Sequence, residues 1–229
     1  MKAMILAAGR GERMRPLTEH TPKPLLQVGG KSLLVYHLEK LAALGVTDII
    51  INIAYLGSQI KDEIGCGNSW GVSIKYIEEP EPLETAGALY NALPLLGDEP
   101  FLLINGDVWT DFSFEVLLDQ PLLLTEMGRL VFVDNPEHHV SGDFSLDDQG
   151  VVVYRGERRD AYTFSGVALL RSAIIADYPN KRYIFPLREV FEYAIDAGTL
   201  SGMVYRGQWW DVGTVERLQA LDTLLTTSL

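Results

Sequence analysis

The chain opens on an apolar run of strand length, Met4-Ile5-Leu6-Ala7-Ala8, that breaks into Gly9-Arg10-Gly11-Glu12-Arg13-Met14-Arg15-Pro16-Leu17-Thr18 and then Pro22-Lys23-Pro24-Leu25-Leu26. The run reads as a buried first strand. The two glycines let backbone pass where a Cβ would clash, so main-chain N–H groups can close on a polyanion. Arg10, Arg13, Arg15 and Lys23 place four cations in a short stretch of a chain whose net charge is −12. Such a loop is suited to holding phosphates.

Two other phosphate loops do not fit. A Walker A loop requires Gly-x-x-x-x-Gly-Lys-Ser/Thr, and no such string follows Gly9. A dinucleotide fingerprint requires a third glycine three residues after the second, where Met14 stands. Pro16, Pro22 and Pro24 also forbid an immediate helix of useful length.

The acidic balance argues against a nucleic-acid partner, which would need a basic face. With 229 residues, 47% of them hydrophobic, a sizeable single core is expected. Cys66 is the only cysteine, so no intrachain disulfide can form, and its Gly-rich surroundings suit an inert turn residue. No stretch approaches the roughly 20 apolar residues that span a bilayer. The chain is therefore expected in the cytoplasm, away from membranes, as a monomer or weak homo-oligomer.

Strand-length apolar runs alternate with helical periods along the first half. Ala3–Ala8, Val46–Ile53, Val72–Ile77 and Phe101–Ile104 read as strands. Between them Ser32 opens a helix with Leu34, Leu38, Leu41 and Leu44 that Gly45 stops; Leu56–Ile64 and Thr85–Leu96 are further helices. This rhythm predicts an α/β, Rossmann-like, mostly parallel sheet with helices on both faces. After Asp111 come Leu130–Val133, Phe144–Leu146, Val151–Tyr154 and Tyr162–Leu170, punctuated by turn residues, so hairpins are expected. Helices over Pro186–Ala197 and Thr214–Leu225 flank a strand at Ser201–Tyr205. One domain over 1–229 is expected, with a nucleotide-binding portion over about 1–111 and a hairpin-rich remainder over about 112–229.

Asp107 follows Gly106 just past a fully apolar strand, the edge at which open α/β sheets bind ligands. A carboxylate there suits Mg2+, a hard ion that takes one or two protein oxygens and fills its shell with water and phosphate. Asp211, after Trp209-Trp210, is a matching second carboxylate. The four histidines have no metal-ligand spacing.

The string LAAGRGERMRPLT followed by PKPLL resembles the signature of the sugar-phosphate nucleotidyltransferases, which make NDP-sugars from an NTP and a sugar 1-phosphate. Three further segments fit in order: Leu83-Glu84-Thr85-Ala86-Gly87-Ala88-Leu89, Asn105-Gly106-Asp107 and Trp210-Asp211-Val212-Gly213-Thr214. The resemblance covers nearly the whole chain. It implies that Asp107 and Asp211 ligate the Mg2+ shared by both substrates. It also implies that Arg15 and Lys23 neutralise the triphosphate and the charge developing in transfer, with Asp107 catalytic beside them. The two prolines flanking Lys23 restrict its backbone.

The resemblance further assigns base recognition to Gln59 and the turn containing Thr85 and Gly87, together with backbone from Leu6, Ala7, Ala8 and Gly9. Gly11, Glu12 and Arg13 are loop contacts to the nucleotide. Asn105, Asp143 and Gly166 are candidates for the sugar phosphate, although an Asp after Gly142 also simply favours a turn. Relatives that make glucose nucleotides carry Glu-Lys-Pro, whose Lys holds the sugar phosphate. Here the chain reads Tyr154-Arg155-Gly156-Glu157-Arg158-Arg159-Asp160, with the replacing Arg left open. That departure points away from glucose and, together with the resemblance, implies UTP and N-acetylmuramate 1-phosphate as the expected pair, with mannose 1-phosphate and GTP, glucose 1-phosphate and dTTP or UTP, and a non-catalytic nucleotide-sugar sensor as alternatives.

Overall fold

A computed structural model describes residues 1–156 and 160–227. In chain order the elements begin with β1 (Lys2–Leu6), β2 (Gln27–Val28), β3 (Lys31–Ser32), α1 (Leu33–Ala43), β4 (Asp48–Ile53), α2 (Gly57–Ile64) and β5 (Ser73–Glu78). There follow α3 (Glu84–Leu96), β6 (Phe101–Asn105), β7 (Val108–Thr110), α4 (Glu115–Leu118), β8 (Gly128–Val133), β9 (Phe144–Leu146) and β10 (Val152–Tyr154). The chain continues with β11 (Ala161–Leu170), α5 (Ala173–Ala176), α6 (Leu187–Asp196), β12 (Leu200–Tyr205), β13 (Trp209–Asp211) and α7 (Val215–Thr227).

Two compact units emerge, the first formed by Met1–Pro82, Ile104–Phe114 and Gln208–Leu229. Within it β1, β4 and β5 pair in parallel, from Lys2↔Asp48 to Leu6↔Asn52 and from Asp48↔Ser73 to Ile53↔Glu78. Ile49, Ile50 and Ile51 are all buried, as a strand covered on both faces requires. Helix α1 buries Leu34, Leu38 and Leu41. It closes on Gly45, whose φ of 71° lets Val46 N–H donate back to the Leu41 carbonyl. Met14, Leu26, Val28, Leu33, Val212, Leu218 and Leu221 form one core cluster, so α7 packs where the N-terminal loop returns.

The second unit comprises Leu83–Leu103 and Glu115–Gly207. Here β10, β9, β11 and β8 pair antiparallel in that order, and β12 joins β8 in parallel. Thus the expected hairpins and the expected parallel α/β character both occur. The β11–β8 register shifts between Phe164 and Ala168, around Gly166 at φ 80°. Phe164 meets Phe191 of α6 edge-on at 5.5 Å.

Two short ladders in the first unit lie outside the sequence expectation. Gly29 and Gly30, both at positive φ, close the β2–β3 hairpin. The β7–β13 ladder pairs Val108 with Asp211. Strands of two or three residues carry too few alternations to register as periodic.

Candidate active site

The glycine loop begins where a buried polar chain fixes the end of β1. Ala7 N–H donates to Asn52 Oδ1 at 2.9 Å, and Asn52 Nδ2 donates to Glu79 Oε1 at 2.8 Å. Both side chains are buried. Neither was anticipated; the one signal was a polar residue inside the apolar run Ile49-Ile50-Ile51-Asn52-Ile53. Beyond Ala8 the loop advances in single 3-10 turns at Glu12–Met14, Leu17–Glu19 and Lys23–Leu25. Gly11 has φ 62°, a Cβ there would lie 2.8 Å from Thr18 Cγ2, and its carbonyl accepts from Thr18 Oγ1 at 2.8 Å. Met14 anchors the turn in the core, which leaves Arg10, Glu12, Arg13 and Arg15 exposed.

Lys23 and Asp107, chosen separately from the sequence, form an ion pair at 2.5 Å. The turn bearing Asp107 passes so close to β1 that a Cβ on Gly106 would sit 2.7 Å from the Leu6 carbonyl oxygen. Gly106 N–H donates to that same oxygen at 2.9 Å. Asp107 carbonyl in turn accepts from Val212 N–H at 2.9 Å, which extends the β7–β13 ladder and brings the Asp211 segment alongside. Asp211 Oδ1 accepts from Arg217 Nη1 at 2.9 Å. A Cβ on Gly213 would overlap Arg217 Nη2 and stand 3.2 Å from Arg13 Nη2. Arg13 is thus the loop guanidinium directed at the Asp211–Gly213 turn, and Arg217 is a member of the cluster that sequence reasoning missed.

The donor set fits a hard divalent ion. Asp107 and Asp211 offer carboxylate oxygens, each now balanced by a cation. Among the described residues no three His, Cys, Asp or Glu gather into a closed metal cage. An ion held by one or two protein oxygens keeps the remaining positions for water and phosphate, which is how Mg2+ sits at nucleotide sites.

Beside β7 and the turn that follows it stand two titratable side chains of α1, the half-buried Lys40 and the buried His37. Lys40 donates to the carbonyls of Thr110 and Phe112, and burial pushes its pKa down to about 8. His37 stacks on Phe114; burial, reinforced by the Lys40 charge, pushes its pKa down to about 4.

Gln59 lies in the first turn of α2, partly exposed, and Asn105 ends β6. In the second unit Thr85 Oγ1 accepts from Leu187 N–H at 2.8 Å. A Cβ on Gly87 would lie 2.5 Å from the Tyr183 carbonyl oxygen, so this glycine admits the 183–185 segment. Asp143 is more than a turn former: its Oδ2 accepts from Phe164 N–H at 2.9 Å, while Oδ1 lies 3.2 Å from His139 Nε2 and 3.5 Å from Arg188 Nη1. Arg155 is exposed; Glu157, Arg158 and Arg159 lie outside the described residues.

Residues 2–151 match the family described as nucleotidyl transferase. The chain is 46% identical over 227 residues to the N-acetylmuramate alpha-1-phosphate uridylyltransferase of Neisseria meningitidis serogroup B, covering 98% of each. It is 33% identical to the mannose-1-phosphate guanyltransferase of Candida albicans, spanning all of this chain but 66% of that one. A Bacillus anthracis protein crystallised in complex with a sucrose superposes with a TM-score of 0.85 over 99% of this chain and 95% of its own. At 23% identity that likeness is one of fold.

Proposed function

The chain belongs to the nucleotidyl transferase family, and from that premise we propose that it transfers UMP from UTP to N-acetylmuramate 1-phosphate, releasing pyrophosphate. The observation that carries the substrate pair is the 46% identity over 98% of both chains to an enzyme of that specificity. The absence of a Glu-Lys-Pro segment supports it. In this reading residues over about 1–111 serve the nucleotide and those over about 112–229 the sugar phosphate. The lone cysteine and phosphorylated substrates suit a cytoplasmic enzyme that recovers a cell-wall sugar.

The chemistry needs no general base, because the nucleophile is a phosphate oxygen that is already anionic. That oxygen attacks the α-phosphorus of UTP. A P–O bond forms as the bond to the oxygen bridging the β-phosphate breaks, and pyrophosphate leaves with the electron pair. What the protein supplies is alignment and compensation of negative charge. Lys23 stands where it can pass from Asp107 to a phosphate oxygen, and Arg13 and Arg15 extend the positive field along the loop. Asp107 and Asp211 would hold a divalent ion, Mg2+ in our reading, which supplies charge neutralisation between the two phosphate substrates. Backbone from Leu6 to Gly9 and the Gln59 amide face the base, while Asn105, Asp143 and Gly166 serve the sugar.

A panel of N-acetylmuramate, N-acetylglucosamine, glucose and mannose 1-phosphates, each with UTP, dTTP and GTP, tests this by pyrophosphate release. The expected best pair is UTP with N-acetylmuramate 1-phosphate. A tenfold advantage for glucose or mannose, about 1.4 kcal/mol in the transition state, overturns the acceptor assignment. No release from any pair would leave a nucleotide-sugar sensor.

A further inference from the structure

Asp211 is held by a guanidinium to which no sequence motif pointed. Arg217, in the first turn of α7, donates from Nη1 to Asp211 Oδ1 at 2.9 Å. Its Nε is buried and finds no acceptor among the described residues. Its Nη2 reaches Gly213, where a Cβ would overlap it, and Arg13 Nη2 comes within 3.2 Å of that same Cβ position from the opposite side of the sequence. Two guanidiniums therefore meet over one glycine, and the carboxylate bonded to Arg217 is Asp211. Like charges so placed repel, and an additional anion stabilises them through charge-assisted hydrogen bonds. Because Gly213 has no side chain, the Arg217 guanidinium can lie over it within reach of Arg13.

We propose that Arg217 is a phosphate-binding residue masked by its ion pair with Asp211. When a polyphosphate enters, Arg217 Nη1 exchanges the Asp211 carboxylate for a phosphate oxygen. With Arg13 it then forms a two-guanidinium clamp for a diphosphate. The proposal rests on the nucleotidyl-transfer reading, in which a diphosphate is the leaving group and Asp211 has another positive partner to turn to. Arg217 lies at the far end of the chain from the glycine loop, so the clamp joins residues from its two ends. An Arg fork suits the task because it can hold two phosphate oxygens at once.

Binding of inorganic pyrophosphate to the full chain, measured by titration calorimetry without divalent metal, tests the exchange. Asp211→Asn unmasks Arg217 and should tighten pyrophosphate binding by about tenfold, the scale of one charge-assisted bond. Arg217→Gln should weaken it, and in the Asp211→Asn/Arg217→Gln double variant the gain should vanish. Retention of the gain in the double variant would mean that removing the Asp211 charge acts at long range, which overturns the clamp. If Arg217→Gln lowers the melting temperature too far for titration, Arg217→Lys replaces it. That variant keeps the charge but loses the fork, and it should shrink the gain; an undiminished gain overturns the proposal. Wild-type protein that binds neither pyrophosphate nor UTP with Mg2+ would remove the nucleotidyl-transfer reading as well. Pyrophosphate binding that is indifferent to these substitutions removes the clamp alone.

Discussion

Lys23 Nζ lies 2.5 Å from Asp107 Oδ2 across 84 residues of sequence, and the two side chains are unequally sheltered. That of Lys23 is 10% exposed and that of Asp107 41%. Lys23 is largely buried in the turn between Pro22 and Pro24, while the carboxylate is the more exposed partner. A substrate phosphate or a divalent ion can therefore reach the pair from the exposed Asp107 side, and the contact opens as each group takes its new partner. Asp107 is equally constrained in its backbone by the Gly106–Leu6 and Asp107–Val212 hydrogen bonds.

Lys23→Ala should accordingly lower kcat by on the order of 10²-fold or more, and far more than it raises KM for UTP. Some loss of stability should accompany it, since the buried Lys23 stem gives up its packing, but the solvated partner carboxylate is not left as a buried charge. Steady-state kinetics with a denaturant melt separate these terms. A change confined to KM would make Lys23 a binder of ground-state triphosphate only.

Metal removal should abolish turnover, and Asp107→Asn and Asp211→Asn should each reduce it by on the order of 10²-fold with the fold intact. Circular dichroism and pyrophosphate release, with and without excess EDTA, check this. Full activity in EDTA would refute it.

The first strand, the glycine loop and the order of motifs were legible because each is local. Periodicity reports burial within one element, and fixed spacings of Gly, Pro and cations report loop geometry. What stayed hidden is pairing. Nothing in Trp209-Trp210-Asp211 says that it will lie against Val108–Thr110, and that ladder, extended by the Val212–Asp107 hydrogen bond, brings the Asp211 turn beside Asp107. Arg217 was invisible for the same reason, since one Arg in the first turn of a terminal helix looks like any solvated cation. Asn52 left a trace, but its partners Ala7 and Glu79 belong to segments 45 and 27 residues away.

Two glycines near the site should respond unequally to alanine. At Gly106 the added Cβ meets the Leu6 carbonyl oxygen, a backbone atom that cannot swing aside, at 2.7 Å, so Gly106→Ala should cost about 1–3 kcal/mol. At Gly9 nothing lies within 4 Å of the added Cβ and φ is not positive, so Gly9→Ala should leave the melting temperature nearly unchanged. Any loss it causes should appear in nucleotide affinity. Equal destabilisation by both would mean that the loop backbone, rather than contact with Leu6, sets the cost.

Asn52→Leu removes both ends of the buried polar chain, stranding Ala7 N–H and depriving the Glu79 carboxylate of a donor. A loss of about 2–4 kcal/mol is expected. Hydrogen exchange should show lost protection at Ala7. Asn52→Asp should fare no better, because it sets a second carboxylate against Glu79.

His37 gives the first unit an acid-side dependence of stability. Its folded pKa is about 4 against an ordinary 6.5, so the folded protein resists protonation that the unfolded chain accepts. Between these values the unfolded state binds more protons, and stability rises with pH. The contribution is fully present above pH 6.5 and is lost as pH falls towards 4, a span of about 3 kcal/mol. Lys40, with its pKa near 8, is charged throughout that window and adds no slope there; its own dependence falls between about 8 and 10.5, where stability again rises with pH. Ionised carboxylates also destabilise the fold when protonated, so the test is a difference. Denaturant melts of wild type and His37→Phe, which keeps a ring against Phe114, should diverge in slope between pH 6.5 and 4. Parallel curves would show that His37 is solvated enough to titrate normally.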